Sequence, residues 1–497
     1  MRLFGGWSAA SSLGVALIVA GAAARAQGMN DAFQWIKDPF RLDQKVAPAP
    51  NKRWESAEPL PAVTVATAAE SLPADKALTL AELTEFALRN NPRTRQSWYA
   101  ARAAAANLGV TLGDQLPQVQ GAYQVSRARP ISGTNPTNNV VWLNRWGPQI
   151  SFNYVIYDFG GLDARIDAAE YRLLAANLSQ NRVLQELIFQ VEQAYYQLIG
   201  VEALVRVNEQ SLKNVETALD AARRRRESGL ATVADVYRTE TQVAQAQLTL
   251  TRSRGEFEKA RGQLSNVVGL PINSSVRVQT LTAPPQTTQA SEAITAYLER
   301  VKLIRPDLVA AEAQARSARA SAVAASKAGL PSIEVNGQYA VNNWARAGFL
   351  HDPDRAATHA YATTLNIRIP IFSGFKDTYS VRQAEAVAQQ AEATRDSLYR
   401  QTQLEVWQSY YDLQTVTGSI KSTEALVKSA EQSAQATLAR YQSGFGTILD
   451  LITTQQDEAS ARTQRIQSYL DWYTVLARLH LAVGASDLIA TKTETKQ

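Results

Sequence analysis

The sequence predicts an α+β membrane protein made of two internal repeats, each with two membrane-length strands set between long helices. Three observations predict it. Residues 1–26 have the layout of an export signal, four short stretches alternate apolar and polar side chains, and the second half of the chain repeats the first in an almost constant register.

The opening MRLFGGWSAASSLGVALIVAGAAARAQ has a basic Arg2, a short apolar stretch over Leu13–Ala20 and small residues at Ala24 and Ala26. That pattern is a secretory signal cleaved after Ala26. A membrane anchor would need roughly 20 apolar residues. No later run is apolar enough for a transmembrane helix, so any span has to be made of strands. The charge balance, 51 basic against 46 acidic side chains for a net +5, is too even for a nucleic-acid binder. Without cysteine there are no disulfides, no thiolate metal site, no Cys nucleophile and no lipidated N-terminal Cys. No phosphate-binding loop or HExxH is present and only 3 His occur, so the reading is of a protein that is not an enzyme and has no cofactor.

After the signal, residues 27–78 are rich in Pro and Ala and read as an extended arm. Helical periodicity begins at Thr79, which forms a capping-box pattern with Glu82; it breaks at Asn91-Pro92 and resumes to about Gly113. Val119, Gly121, Tyr123 and Val125 alternate with polar neighbours, predicting a strand at about 118–127. A loop rich in Pro, Asn and Gly follows, and Ile150, Phe152, Tyr154 and Ile156 predict a second strand at about 148–157. Tyr157-Asp158-Phe159-Gly160-Gly161 turns that strand into a helix running to Glu227. Such a helix is roughly 100 Å long. Its apolar positions step by three and four through Val191, Ala194, Leu198, Val201, Val205, Leu212, Val215, Leu219 and Ala222, a coiled-coil seam with one polar member, Asn208. Ser228-Gly229 stops it, and another helix runs from near Thr232 to Val268. A polar linker covers 272–290.

The second half restates the first. Asn91-Pro92 returns as Arg305-Pro306 and Leu116-Pro117 as Leu330-Pro331, at one and the same interval. Val191–Leu198 returns as Val406–Leu413 and Ser228–Val236 as Ser443–Leu451, again at a shared interval, longer by a single position. The first repeat therefore covers 79–271 and the second 291–485, with a tail over 486–497. The second repeat's strands are expected at about 332–342 and 361–371. In the latter, Tyr361, Thr363, Leu365, Ile367, Ile369 and Ile371 share one face, and Ala362, Thr364, Asn366, Arg368 and Pro370 the other.

Four strands cannot close a barrel, and an open edge in lipid leaves backbone groups unsatisfied. Copies of the chain must complete the sheet: two give eight strands, three give twelve. A soluble sheet capped by helical bundles would explain neither the export signal nor the long helices.

The signal, the duplication, the Tyr157-Asp-Phe-Gly-Gly and Phe372-Ser-Gly junctions, and the Ser-Gly-x-x-Thr-x-x-Asp-Val/Leu turns resemble the TolC-like outer-membrane efflux and secretion channels over about Thr79 to Gly484. That resemblance implies a homotrimer whose twelve-stranded transmembrane barrel, four strands per chain, continues into a long periplasmic α-helical barrel. It implies an outer-membrane location in a Gram-negative bacterium, contact with outer-membrane lipid, docking to a periplasmic adaptor, and an inner-membrane pump of the RND, ABC or MFS type. The expected function is the exit duct of a tripartite efflux system for drugs, other small molecules or metal ions. Alternatives are the outer-membrane channel of a type I protein secretion system and, from another class, an exported coiled-coil adhesin or fibre without a pore.

The candidate site residues also have structural readings. Gly229 and Gly444 supply the positive φ that ends a helix; Thr232 and Thr447 cap the next one, with Asp235 and Asp450 in its first turn. The resemblance adds that these turns form the closed periplasmic aperture and meet the adaptor. It also implies a second acidic ring at the position held here by Thr453, where this chain departs from the pattern. Arg368 is expected to face the lumen. Arg223–Arg226 reads as charge at a helix C-terminus or as an adaptor contact. Trp142, Trp146, Trp344 and Phe349 read as rim aromatics, and His480 as a packing residue. His351 and His359 flank Asp352 and Asp354, but the irregular spacing predicts no metal site.

Overall fold

The computed structural model describes residues 46–53, 77–128, 143–270, 272, 274, 276–279, 294–346 and 357–485. The signal peptide, the tail, most of the arm and linker, the side chain of Trp344, and Trp142, Phe349, His351, Asp352 and Asp354 lie outside the described residues. The first repeat contains α1 (Leu80–Asn90), α2 (Pro92–Gly113), β1 (Gln118–Ala128), β2 (Leu143–Tyr157), α3 (Gly161–Glu227) and α4 (Val233–Val268). The second contains α5 (Ile294–Ile304), α6 (Pro306–Lys327), β3 (Ser332–Arg346), β4 (Ala357–Arg368), α7 (Lys376–Gln442) and α8 (Ile448–Val483). Corresponding helices have equal lengths of 11, 22, 67 and 36 residues. Among the described residues no helix is long and apolar enough to cross a membrane.

One compact unit holds the four strands with residues 101–174 and 313–393. The sheet is antiparallel in the order β1-β2-β3-β4, so the repeats meet along β2 and β3. Three strands differ in extent from the sequence expectation. β2 begins at Leu143 and β3 ends at Arg346, because the ladder continues through polar residues such as Asn144 and Asn343 after apolar alternation has stopped. β4 runs over Ala357–Arg368 rather than 361–371, and its last pair is Ser332↔Arg368. Beyond it stand Pro370 and, on the other chain segment, Pro331, neither of which has an N–H to donate. A bulge at Val155/Tyr157 shifts the register where β2 leaves the sheet. At each strand-to-helix junction two consecutive residues take positive φ: Phe159 and Gly160 (59° and 81°), then Gly374 and Phe375 (66° and 64°). A Phe in that region is strained, and Asp158 holds the first junction by accepting from Leu162 N at 2.6 Å.

The other unit comprises residues 47–100, 175–312 and 394–497. Thr79 caps α1 in the predicted capping box, with its Oγ1 accepting from Glu82 N at 3.3 Å and Glu82 Oε2 accepting from Thr79 N at 2.9 Å. Two related cores lie in this unit. Leu83, Leu187, Val191, Leu198, Leu264 and Val268 form one; Val301, Val406, Leu413, Trp472, Leu479 and Val483 form the other. Full burial of one such aliphatic side chain stabilises the fold by roughly 1.5–3 kcal/mol. The Asn91-Pro92 and Arg305-Pro306 motifs serve the same purpose. Asn91 Nδ2 donates to Val267 O at 2.8 Å, and Arg305 Nη1 donates to Ala482 O at 3.1 Å, each satisfying a last-turn carbonyl of the returning helix. The buried Arg305 charge is paired with Asp307 at 2.8 Å and Glu405 at 2.7 Å. Asn208 donates to Ser253 Oγ at 2.5 Å, so the polar seam position is satisfied by the neighbouring helix.

Candidate functional site: a two-faced sheet and paired helix turns

The register sorts the sheet into two chemically distinct faces. Gln118, Gln120, Ser151, Asn153, Asn336 and Gln338 share one face with Thr364, Asn366 and Arg368. Several of them line a shallow polar hollow of about 370 Å³. Arg368 lies on this face, mostly exposed, 3.6 Å from Glu334. The opposite face carries Val119, Ile150, Phe152, Tyr339, Leu365 and Ile367. Val125 is 76% exposed, Tyr361 87% and Ile367 61%. A continuous apolar face of this kind is not stable in water and marks a surface meant for lipid or another protein. The edges β1 and β4 each pair on one side only.

In the other unit the turns between α3 and α4 and between α7 and α8 have one design. Gly229 takes φ 75° and Gly444 φ 90°, conformations in which a Cβ is strained. Leu230 N donates to Arg225 O at 2.8 Å, and Phe445 N donates to Arg440 O at 2.9 Å, closing the helix ends. Thr232 Oγ1 then accepts from Asp235 N at 3.2 Å, while Asp235 Oδ2 accepts from Thr232 N at 2.9 Å and from its hydroxyl at 2.8 Å. Thr447 and Asp450 repeat the box, with Thr447 Oγ1 donating to Asp450 Oδ2 at 2.7 Å. These bonds favour the carboxylate and lower both pKa values, through the Thr232 backbone first for Asp235 and the Thr447 hydroxyl first for Asp450. Thr453 donates its hydroxyl to Leu449 O at 2.9 Å, one turn back on its own helix.

The two turns touch through a small core of Ala218, Leu219, Ala222, Val236, Ile448 and Leu451. Arg225 stacks 4.8 Å above the Tyr441 ring and donates from Nη1 to Tyr441 O at 2.5 Å. Arg223 pairs with Glu240 at 2.9 Å. The Arg223–Arg226 run thus ties α3 to its neighbours as well as facing a helix end. Sequence reasoning missed Tyr441, whose contact with Arg225 spans 216 residues. It also missed Leu230 and Phe445, exposed apolar residues at equivalent places in the turns, 69% and 82% exposed. Their recurrence at the repeat spacing was the available signal.

His359 stands on the apolar face with Nδ1 2.8 Å from Tyr339 Oη. His480 is largely buried in α8, and burial lowers its pKa from 6.5 to about 4. Among the described residues no group of three or more His, Asp or Glu side chains is placed to hold a metal ion.

The family model described as outer membrane efflux protein matches residues 83–270 and 297–485, one match on each repeat. The chain belongs to the outer membrane efflux protein family. It is 24% identical over 399 residues to protein CyaE of Bordetella pertussis, covering 79% of this chain and 82% of that one. It is 22% identical over 417 residues to the pyoverdine export outer membrane protein OpmQ of Pseudomonas putida, covering 82% and 85%. Among solved structures, the outer-membrane channel OprN superposes with a TM-score of 0.74 at 19% identity, over 82% of this chain and 90% of that one. This efflux protein therefore has the TolC-like channel fold and acts in export across the outer membrane. Its family is one of channel proteins, not of enzymes.

Proposed function

We propose that three copies of this efflux protein close a twelve-stranded barrel in the outer membrane and form the exit duct of a tripartite system exporting small molecules. One observation carries the reading: an open four-stranded sheet with an exposed apolar face, a polar face of amides and hydroxyls, and two unpaired edges. Lipid against the first face and water against the second satisfy both, and β4 of one copy pairing with β1 of the next removes the edges. Two copies would give eight strands, whose interior side chains fill it; twelve leave an aqueous lumen. Arg368 then faces that lumen.

The same reading places the repeats at 79–271 and 291–485, preceded by an unlipidated N-terminus at residue 27 after signal cleavage. Gly229, Thr232, Asp235, Gly444, Thr447, Asp450 and Thr453 belong to the periplasmic aperture. Leu230 and Phe445 offer apolar contacts to a periplasmic adaptor, and an inner-membrane pump of the RND, ABC or MFS type supplies the energy. Small-molecule cargo is favoured by OpmQ, a relative named for pyoverdine export. Type I secretion would use the same duct and differs in the pump.

The cysteine-free chain permits a direct test. A cysteine at Gln120 of β1, paired in turn with cysteines along β4 at Ala360, Ala362 or Thr364, should give a ladder of covalent dimers and trimers in oxidised outer membranes. The purified trimer should conduct in planar bilayers. Monomers alone and silent bilayers would end the reading. Crosslinking in cells at Leu230 and Phe445 should recover the adaptor, and the pump recovered with it separates efflux from secretion.

A further inference from the structure

Away from the turns, the long helices lie in the order α4, α3, α8, α7: α4 shares a core with α3, α7 shares one with α8, and α3 meets α8 between the repeats. The α3–α8 contact is close. Tyr196 stacks on Tyr473 with ring centroids 4.5 Å apart, and a Cβ at Gly200 would overlap the Leu470 side chain. Each residue of that contact has a repeat counterpart, on α7 for α3 and on α4 for α8. Those counterparts are bare. On α7, Leu404, Trp407, Tyr411, Thr415, Gly418 and Ser422 step by three and four along one exposed face, with Trp407 48% exposed and Tyr411 43%. On α4, Ala244, Gln247, Thr251, Gly255 and Glu258 form an exposed face with the same steps. The sizes are exchanged as well: Thr415 stands where α3 has Gly200, and Gly255 where α8 has Leu470. A Cβ at Gly255 would meet no other part of the chain within 4 Å, so nothing in its own chain requires a glycine there, although glycine weakens a helix interior.

We infer that the α7 face at Trp407, Tyr411 and Thr415 is covered by the α4 face at Gly255 of the next copy, in the geometry by which α8 covers α3 within one chain. The inference rests on the three-copy reading and names the helix faces that join the copies. The row α4, α3, α8, α7 ends in two unlike faces, so joining them head to tail continues the row and closes a ring. Thr415 enters the space over Gly255, and Tyr411 takes the place of Tyr196, where its phenol meets Glu258 rather than a second ring. Charge is complementary too. Residues 401–420 of α7 carry Glu405 and Asp412 and no cation, whereas residues 251–262 of α4 carry four cations against two acids. Arg254 and Glu405 are held on their own chain by Glu209 and Arg305, so charge guides the approach and the packing of Trp407, Tyr411 and Thr415 holds it.

The test uses the full-length chain. Gly255→Cys with Thr415→Cys should give covalent dimers and trimers in oxidised outer membranes. Gly255→Cys with Ser429→Cys, roughly 20 Å further along α7, should give neither. Gly255→Leu should make the purified trimer dissociate at least about fivefold more readily, because it overpacks a contact repeated at every seam. Adding Thr415→Gly recreates the Gly200–Leu470 pairing and should restore the trimer. Helicity by circular dichroism should stay at the wild-type level in both, since a side chain at Gly255 meets nothing in its own chain. Trimers that carry the β1–β4 crosslinks but none between Gly255→Cys and Thr415→Cys overturn this contact alone. So do Gly255→Leu trimers as firm as wild type or unrescued by Thr415→Gly, and so does a crosslinker at Trp407 that recovers another protein instead of α4. A chain that forms no trimer overturns the three-copy reading and this contact with it.

Discussion

Glu192 in α3 has its carboxyl pushed up from 4.5 to about 7 by burial. Between those values the folded chain keeps a proton that the unfolded chain has released, so its stability contribution is full below 4.5 and is lost as pH rises through 7. Stability should fall between pH 5 and pH 8 by about 3 kcal/mol at most, seen as a falling melting temperature, and Glu192→Gln should flatten that fall. His480 works in the other direction. Its folded pKa of about 4 lies below the ordinary 6.5, so its contribution is present above 6.5 and lost as pH falls through 4. His480→Leu should remove part of the acid-side loss in the same melts. Arg305 is a third case, a buried charge held by Asp307, Glu405 and the Ala482 carbonyl. Arg305→Ala removes the partner of Glu405 and of a helix-end carbonyl, leaves Asp307 with Arg182 at 3.7 Å, and should cost about 3 kcal/mol by urea unfolding. Asn91→Ala, at the equivalent place in the first repeat, loses a neutral bond and should cost about 1–2 kcal/mol.

The helix turns show how one element serves twice. Thr232 and Thr447 begin α4 and α8 by capping, and replacing either with Val should lower stability by about 1 kcal/mol. Asp450 takes part in the same box, so a change in conductance on Asp450→Ala would mix lost charge with a loosened helix start. Asp450→Asn keeps an acceptor for the cap and isolates the charge. If Asp450 lines the aperture, the asparagine variant should weaken divalent-cation block in planar bilayers while leaving thermal stability nearly unchanged; unaltered block would remove it from the pore. Arg225 bridges α3 to the end of α7 through Tyr441. If the paired turns form the aperture, Arg225→Ala should raise single-channel conductance by loosening them. Tyr441→Phe should leave conductance close to wild type, because the backbone carbonyl accepts the bond and the ring is kept.

At the scale of the molecule, duplication is expressed as matched helices and as a sheet in which β2 of one repeat pairs with β3 of the other. Both faces of that sheet were legible from alternation alone, because side-chain direction in a strand has a period of two. The strand ends were not. Polar Asn144 and Asn343 continue the ladder where the hydrophobic pattern has stopped, and backbone pairing does not need apolar side chains. Ile369 and Ile371 keep the pattern where Pro370 has already ended the pairing. The capping boxes were readable because Thr and Asp lie three residues apart. The Arg225–Tyr441 bridge was not, because nothing local in either segment points to the other.

Repeats, helix limits, two-faced strands and family membership were all readable from the chain alone, since each rests on periodicities and short-range bonds within a few residues. Folding in three dimensions was needed for the order β1-β2-β3-β4, the meeting of the two turns, and the pairing of His359 with Tyr339. The His359–Tyr339 contact joins positions 20 residues apart, and the Arg225–Tyr441 contact positions 216 residues apart. Their geometry is set by how faces pack, and a one-dimensional pattern identifies a face without naming its partner.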